Sequence, residues 1–160
     1  MPAKTQVSKY YHGTLASNLQ SIRKGGLRPA DFSEAGKGAT GFKDPFSGPR
    51  FLYDQIGSVA VTTSQKDAIM YSAFAGMTVS DKTHKDLLKI PLIVLEIDAK
   101  KLDVSRLKLR PHSGMTKGAR EFDYSQVIPA DAITAVWCNK HDKTGWHLSK
   151  DGTCDVSDDV

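Results

Sequence analysis

Short aromatic and β-branched runs set the rhythm of this chain, with amphipathic stretches between them. Residues 7–12 predict a strand that runs into a sharp turn at Gly13-Thr14. A helix follows: Ser17 and Gln20 have capping-box spacing, Leu15, Leu19 and Ile22 line one face, and Gly25-Gly26 supplies the stop. Residues 58–63 predict a second strand, and Ser64 with Asp67 predicts the cap of a helix rich in small residues that ends at Gly76. Residues 77–88 are polar and mixed, with room for one more short helix. Residues 92–97 are apolar enough for the centre of a sheet, and the alternation continues through Leu102, Val104, Leu107 and Leu109. Two strands are expected at 121–127 and 133–138, around a turn at Pro129, and a last one at 146–148. Residues 28–50 and 110–120 carry glycine and proline without periodicity, and the first is long enough to mark a functional or disordered loop. With no internal repeat, no linker and no regular βαβ alternation, the expected class is α+β: one domain over residues 1–150, then a tail at 151–160.

Charge sharpens this picture. The 160 residues carry 22 Lys and Arg against 18 Asp and Glu, but four of those acids (Asp151, Asp155, Asp158, Asp159) lie in the tail, which has no base. Residues 1–150 therefore hold a net +8, which points to a polyanionic partner, nucleic acid first. Cys138 and Cys154 have no metal-ligand spacing and are too few for a disulfide framework, so they read as free thiols of a reducing compartment. The longest apolar run, residues 90–97, contains Pro91 and Glu96 and is too short to span a bilayer. The N-terminus is polar and lacks a signal-peptide core, so a cytoplasmic protein without a membrane partner is expected.

Several chemistries are excluded by pattern: there is no phosphate-binding loop, no dinucleotide fingerprint and no zinc spacing, so no metal is expected. Of the five histidines, His84, His112, His141 and His147 are scattered. His12 differs because it ends a strand directly before Gly-Thr, where backbone is presented to a ligand.

Tyr10-Tyr11-His12-Gly13-Thr14, the helix after it and Ile22-Arg23-Lys24-Gly25-Gly26-Leu27 resemble the first motif of the His-Tyr-Glu ADP-ribosyltransferases, the class of diphtheria toxin and the poly(ADP-ribose) polymerases. A second motif, Ser or Thr ending a strand before a helix with Ala and then Tyr, is similar to residues 59–64 followed by Ala68 and Tyr71-Ser72. The third, Glu and an aromatic residue opening a late strand, is similar to Glu121-Phe122. The resemblance runs through residues 10–136 and implies an ADP-ribosyltransferase-like split β-sandwich with a few short helices and NAD in a cleft between two small sheets.

By that resemblance the chain cleaves NAD, releases nicotinamide and transfers ADP-ribose. Glu121, His12 and Tyr71 would be catalytic, and His12, Gly13, Thr14, Tyr71 and Ser72 would hold NAD. The Gly13 backbone would pair with the carboxamide, His12 would donate to a ribose hydroxyl, the Tyr71 ring would stack on nicotinamide, and Glu121 would accept from the 2′-hydroxyl. Glu96, inside an apolar strand, is the alternative carboxylate. The sequence departs from the pattern at Val61, where a second stacking aromatic is common; Tyr53, Phe51, Phe42 or Phe46 could replace it.

Residues 104–120 carry Arg106, Lys108, Arg110, Lys117 and Arg120 and no acid, which points to a nucleic-acid acceptor, RNA favoured. The alternatives are a solvated face, NAD pyrophosphate binding with a protein acceptor, NAD glycohydrolase activity, an RNA 2′-phosphotransferase, or a degenerate nucleotide-binding module. A lone catalytic domain of this size resembles bacterial or phage toxins and effectors, which implies an antitoxin or immunity protein. The acidic tail would fold back over the basic segment.

Overall fold

The computed structural model describes residues 7–29, 58–110, 116–142 and 144–149. Its strands are β1 (Lys9–Leu15), β2 (Val59–Thr62), β3 (Leu92–Asp98), β4 (Leu107–Leu109), β5 (Glu121–Tyr124), β6 (Ile133–Asp142) and β7 (Gly145–Ser149). They form one antiparallel sheet in the order β4-β5-β2-β1-β3-β6-β7, with helices α1 (Leu19–Gly25) and α2 (Gln65–Thr83) packed on it. The class is α+β. The expected two sheets are a single sheet by strand pairing, and α2, at 19 residues, is not short.

β3 sits inside the sheet because it is apolar on both faces. Leu92, Ile93, Val94, Leu95 and Ile97 are all at most 1% exposed, and each such burial contributes about 1.5–3 kcal/mol. Ile93, Leu95 and Ile97 join Tyr10, Val59, Val61, Tyr124, Ile128 and Ile22 in the larger core on one face. Leu92 and Leu15 point the other way and meet Ala73 of α2 in a smaller core.

Three glycines decide how the elements meet. The expected turn at Gly13-Thr14 does not occur: β1 runs through both residues to Leu15. Gly13 is required instead because α2 lies directly on it, and a Cβ there would stand 2.0 Å from the Ala68 carbonyl oxygen and 2.6 Å from the Ser72 nitrogen. Gly76 does not stop α2, which continues to Thr83 and ends at His84 in the left-handed conformation. It is buried in the helix where a Cβ would meet Leu87 and Leu92 side chains at 2.9 Å. Gly26, at φ 82°, does end α1 as expected. The Ser17 capping box is absent: residues 16–18 form a 3-10 turn, and Asn18, the residue before α1, makes no side-chain cap bond.

Residues 100–106 hold 3-10 turns in place of a continuous alternating strand, so β4 is only three residues long. Cys138, in β6, is disulfide-bonded, which corrects its reading as a free thiol and removes cysteine usage as an argument for a reducing compartment. No helix of the described residues is long and apolar enough to cross a membrane.

Candidate functional site

The sheet is nearly parted between β1 and β2. β1 pairs with β3 at seven positions, from Lys9↔Asp98 to Leu15↔Leu92, but with β2 only at Tyr11↔Thr62. Past that pair the His12 ring bridges the two strands, its Nδ1 lying 2.6 Å from the Ala60 carbonyl oxygen. A nitrogen facing a carbonyl carries the proton, so in the neutral ring Nε2 is an acceptor. Burial lowers the His12 pKa, opposed by the Ala60 bond, and keeps the ring neutral near pH 7. Nε2 can therefore accept a hydrogen bond but not donate one, the reverse of the expected donation.

Strand register builds a row of polar side chains across the opposite face: Glu96 stands beside Tyr11, Tyr11 beside Thr62, and Thr62 beside Glu121. The two carboxylates at its ends differ. Glu96 is paired with Lys9 Nζ at 3.2 Å and accepts from Thr134 Oγ1 at 2.9 Å. Glu121 is 5% exposed, its Oε2 is 3.9 Å from Arg110 Nη1, and its Oε1 has no hydrogen-bond partner among the described residues. Its pKa is pushed up to about 7, first by burial and then by the neighbouring charges of Asp67 and Asp123.

Asp67 and Asp123 were not singled out as site residues by sequence. Asp67 has capping-box spacing from Ser64, and Ser64 Oγ does accept from Asp67 N at 3.1 Å. The Ser64 N–H, however, donates to Thr62 Oγ1 at 3.0 Å. The Asp67 carboxylate instead accepts from Thr116 N at 3.0 Å and Thr116 Oγ1 at 2.6 Å. With Thr63 and Arg120 exchanging backbone and side-chain bonds at 2.9 Å, this ties the segment before β5 to the start of α2.

The remaining expected NAD contacts separate into available and engaged groups. Tyr71 is half-buried one helical turn beyond Asp67, so both lie on one side of α2; its ring meets Phe74 edge-on at 6.2 Å. Gly13 shares the Tyr11 face of β1 and lies beyond the last β1–β2 pair. Ser72 is corrected: it is fully buried, donates to Ile69 O at 2.7 Å and accepts from Asn139 Nδ2 at 2.7 Å, so it fixes α2 to β6. Thr14 is buried and accepts from Asn18 Nδ2 at 3.0 Å. Val61 is 1% exposed in the larger core, on the face away from Glu121. Phe42, Phe46, Phe51 and Tyr53 lie outside the described residues, as does the tail.

The five cations do not form one patch. Arg110 is mostly buried, with Nε 2.8 Å from Asp123 Oδ1 and Nη1 3.9 Å from Glu121 Oε2, while its Nη2 is buried with no hydrogen-bond partner among the described residues. Arg120 is exposed over the Phe122 ring at 5.9 Å, toward the opposite face. Lys117 is exposed in the turn before β5. Arg106 and Lys108 are exposed beside a cavity of about 380 Å³ that is also lined by Ser58, Ser105, Leu107, Asp123 and Ser125. Among the described residues, no group of three or more His, Cys, Asp or Glu is placed to hold a metal ion.

The chain matches no family model and no curated protein. Solved structures similar to it include protein CC0527 from Caulobacter crescentus and a double mutant of that protein. Both are 14% identical, with a TM-score of 0.47, over 89% of this chain and 94% of the other.

Proposed function

We propose that the chain is a mono-ADP-ribosyltransferase that cleaves NAD and passes ADP-ribose to a nucleic acid, RNA favoured, acting in the cytoplasm as a toxin or effector. The observation that carries this reading is Glu121, a buried carboxylate with one unpartnered oxygen, beside the place where β1 and β2 part. NAD lies across that parting. The Gly13 backbone anchors the carboxamide, His12 Nε2 accepts from a ribose hydroxyl, and the Tyr71 ring covers one nicotinamide face. Tyr11, half-buried on the Glu121 face, takes the place of the aromatic missing at Val61.

Breaking the bond between nicotinamide and ribose C1′ sends the electron pair to the departing nicotinamide and leaves an oxocarbenium-like centre. An ionised Glu121 stabilises that charge. The acceptor hydroxyl or base nitrogen then bonds to C1′, and its proton passes to the Glu121 carboxylate. An antitoxin or immunity protein would cover this site, and co-purification with the products of neighbouring genes tests for one.

The test of the enzyme is label transfer from NAD to RNA, DNA and protein fractions by the wild type and Glu121→Ala. Adducts on RNA, lost in the variant while NAD binding is kept, are expected. Wild-type NAD turnover by Glu121→Ala sinks the assignment, label confined to protein sinks the nucleic-acid acceptor, and label appearing only as free ADP-ribose leaves a glycohydrolase.

A further inference from the structure

Arg110 and Glu121 meet across the β4–β5 ladder. The pairs Lys108↔Asp123 and Leu109↔Phe122 set the register, and one residue past β4 the Arg110 N–H donates to the Glu121 carbonyl oxygen at 3.0 Å. Arg110 therefore stands opposite Glu121, with Asp123 two positions along β5 on the same face. Both side chains are nearly closed off from solvent, 12% exposed for Arg110 and 6% for Glu121. Nε is taken by Asp123 Oδ1 at 2.8 Å, which leaves the two Nη atoms for Glu121. Nη1 lies 3.9 Å from Oε2, an ion-pair distance too long for a hydrogen bond. Nη2 and Oε1 are both buried and have no hydrogen-bond partner among the described residues.

A buried donor and a buried acceptor left unpaired each cost free energy, and these two belong to facing side chains. A guanidinium grips a carboxylate through two parallel N–H···O bonds of about 2.7–2.9 Å. Nη1 with Oε2 and Nη2 with Oε1 are the arms of such a fork, and the first arm is open by roughly 1 Å. An open fork suits a protonated Glu121, since a neutral carboxyl draws a guanidinium only weakly. The groups around it favour that form: Asp67 faces it from α2 and Asp123 from β5 itself, both opposing its ionisation, and its neighbour on β2 is the uncharged Thr62, with Tyr11 of β1 beyond.

We infer that Arg110 is the positioning residue of Glu121: when the carboxyl ionises, the fork closes and fixes the plane of the carboxylate, while Asp123 anchors the guanidinium through Nε. Each carboxylate oxygen still keeps a lone pair for a substrate hydroxyl. The part this plays in ADP-ribose transfer rests on the transferase reading, but the closing of the fork does not.

The experiment is an NMR titration without NAD. The chain has three glutamates, so 13C labelling of glutamate carboxyls gives three signals, and Glu121→Gln identifies the one from Glu121. The 15N signals of the Arg110 Nη atoms, identified by their loss in Arg110→Lys, are expected in the wild type to shift with the same midpoint as the Glu121 carboxyl, near pH 7. Arg110→Lys keeps the charge without the fork, and Arg110→Gln keeps neither. The Glu121 midpoint is expected to rise by about one pH unit in the first and further in the second. Arg110 signals that ignore the Glu121 midpoint, or a wild-type Glu121 midpoint in Arg110→Lys, overturn the proposal. The pH profile of kcat/KM for NAD is read separately, and its acid limb is expected to follow the carboxyl midpoint in wild type and Arg110→Lys. A limb that stays put while the midpoint moves removes Glu121 as the catalytic carboxylate and leaves the fork standing. NAD turnover with Arg110 signals blind to Glu121 sinks the fork alone.

Discussion

Glu121 and His12 are both shifted toward their neutral forms by burial, and they answer different tests. Because Glu121 must be ionised to face a cation, kcat/KM for NAD is expected to rise with pH through about 7, the value of the free protein. Asp67→Asn removes one of the charges that raise it, so the acid limb moves to lower pH while the Asn oxygen still accepts from Thr116; an unmoved limb refutes the coupling. For His12, Asn is the informative replacement. It can donate to the Ala60 carbonyl as Nδ1 does but has nothing at the position of Nε2, so the fold is kept. NAD affinity is expected to fall by about 1 kcal/mol, roughly fivefold to tenfold. An unchanged KM with a lowered melting temperature shows that His12 only fastens the strands.

At the scale of elements, two glycines where α2 meets its neighbours, Gly13 beneath it and Gly76 within it, predict opposite outcomes. A Cβ at Gly13 meets helix backbone, which cannot swing away, so Gly13→Ala is expected to lose about 3 kcal/mol or more and to displace α2 from β1. At Gly76 the obstacles are the ends of Leu87 and Leu92, and the helix gains about 1 kcal/mol from alanine. Gly76→Ala is therefore expected to be near neutral in urea titration, and a loss as large as that of Gly13→Ala contradicts this. The same positions show what sequence could convey. Strands β3 and β5 were legible because their burial matches their composition, and the Ser64 cap because it is local. Gly13 and Gly76 were misread as punctuation because their partners, Ala68 and Leu92, lie far along the chain. The grouping of five cations failed for the same reason: the register of β4 against β5, which turns Arg110 onto Asp123, is not written in residues 104–120.

For the whole molecule, the buried carboxylate links the site to stability. Glu121 binds its proton more tightly in the folded state, so its contribution is fully present below its ordinary value of 4.5 and is lost as pH rises from there through about 7. Glu121→Gln is expected to stabilise the protein at pH 8 by on the order of 3 kcal/mol and to change little at pH 5, read from denaturant midpoints. A gain at pH 5 equal to that at pH 8 excludes a titrating Glu121 as the cause. Such a gain, paired with lost turnover, is the usual exchange between stability and activity at a site.

The single pair joining β1 and β2 suggests two lobes, β4-β5-β2 and β1-β3-β6-β7, yet the chain threads them alternately. It enters at β1, crosses to β2, returns for β3, crosses again for β4 and β5, and returns for β6 and β7. Four crossings lace the lobes like the two sides of a boot. No contiguous fragment contains either lobe alone, so truncation from either end should unfold the protein rather than release half of it.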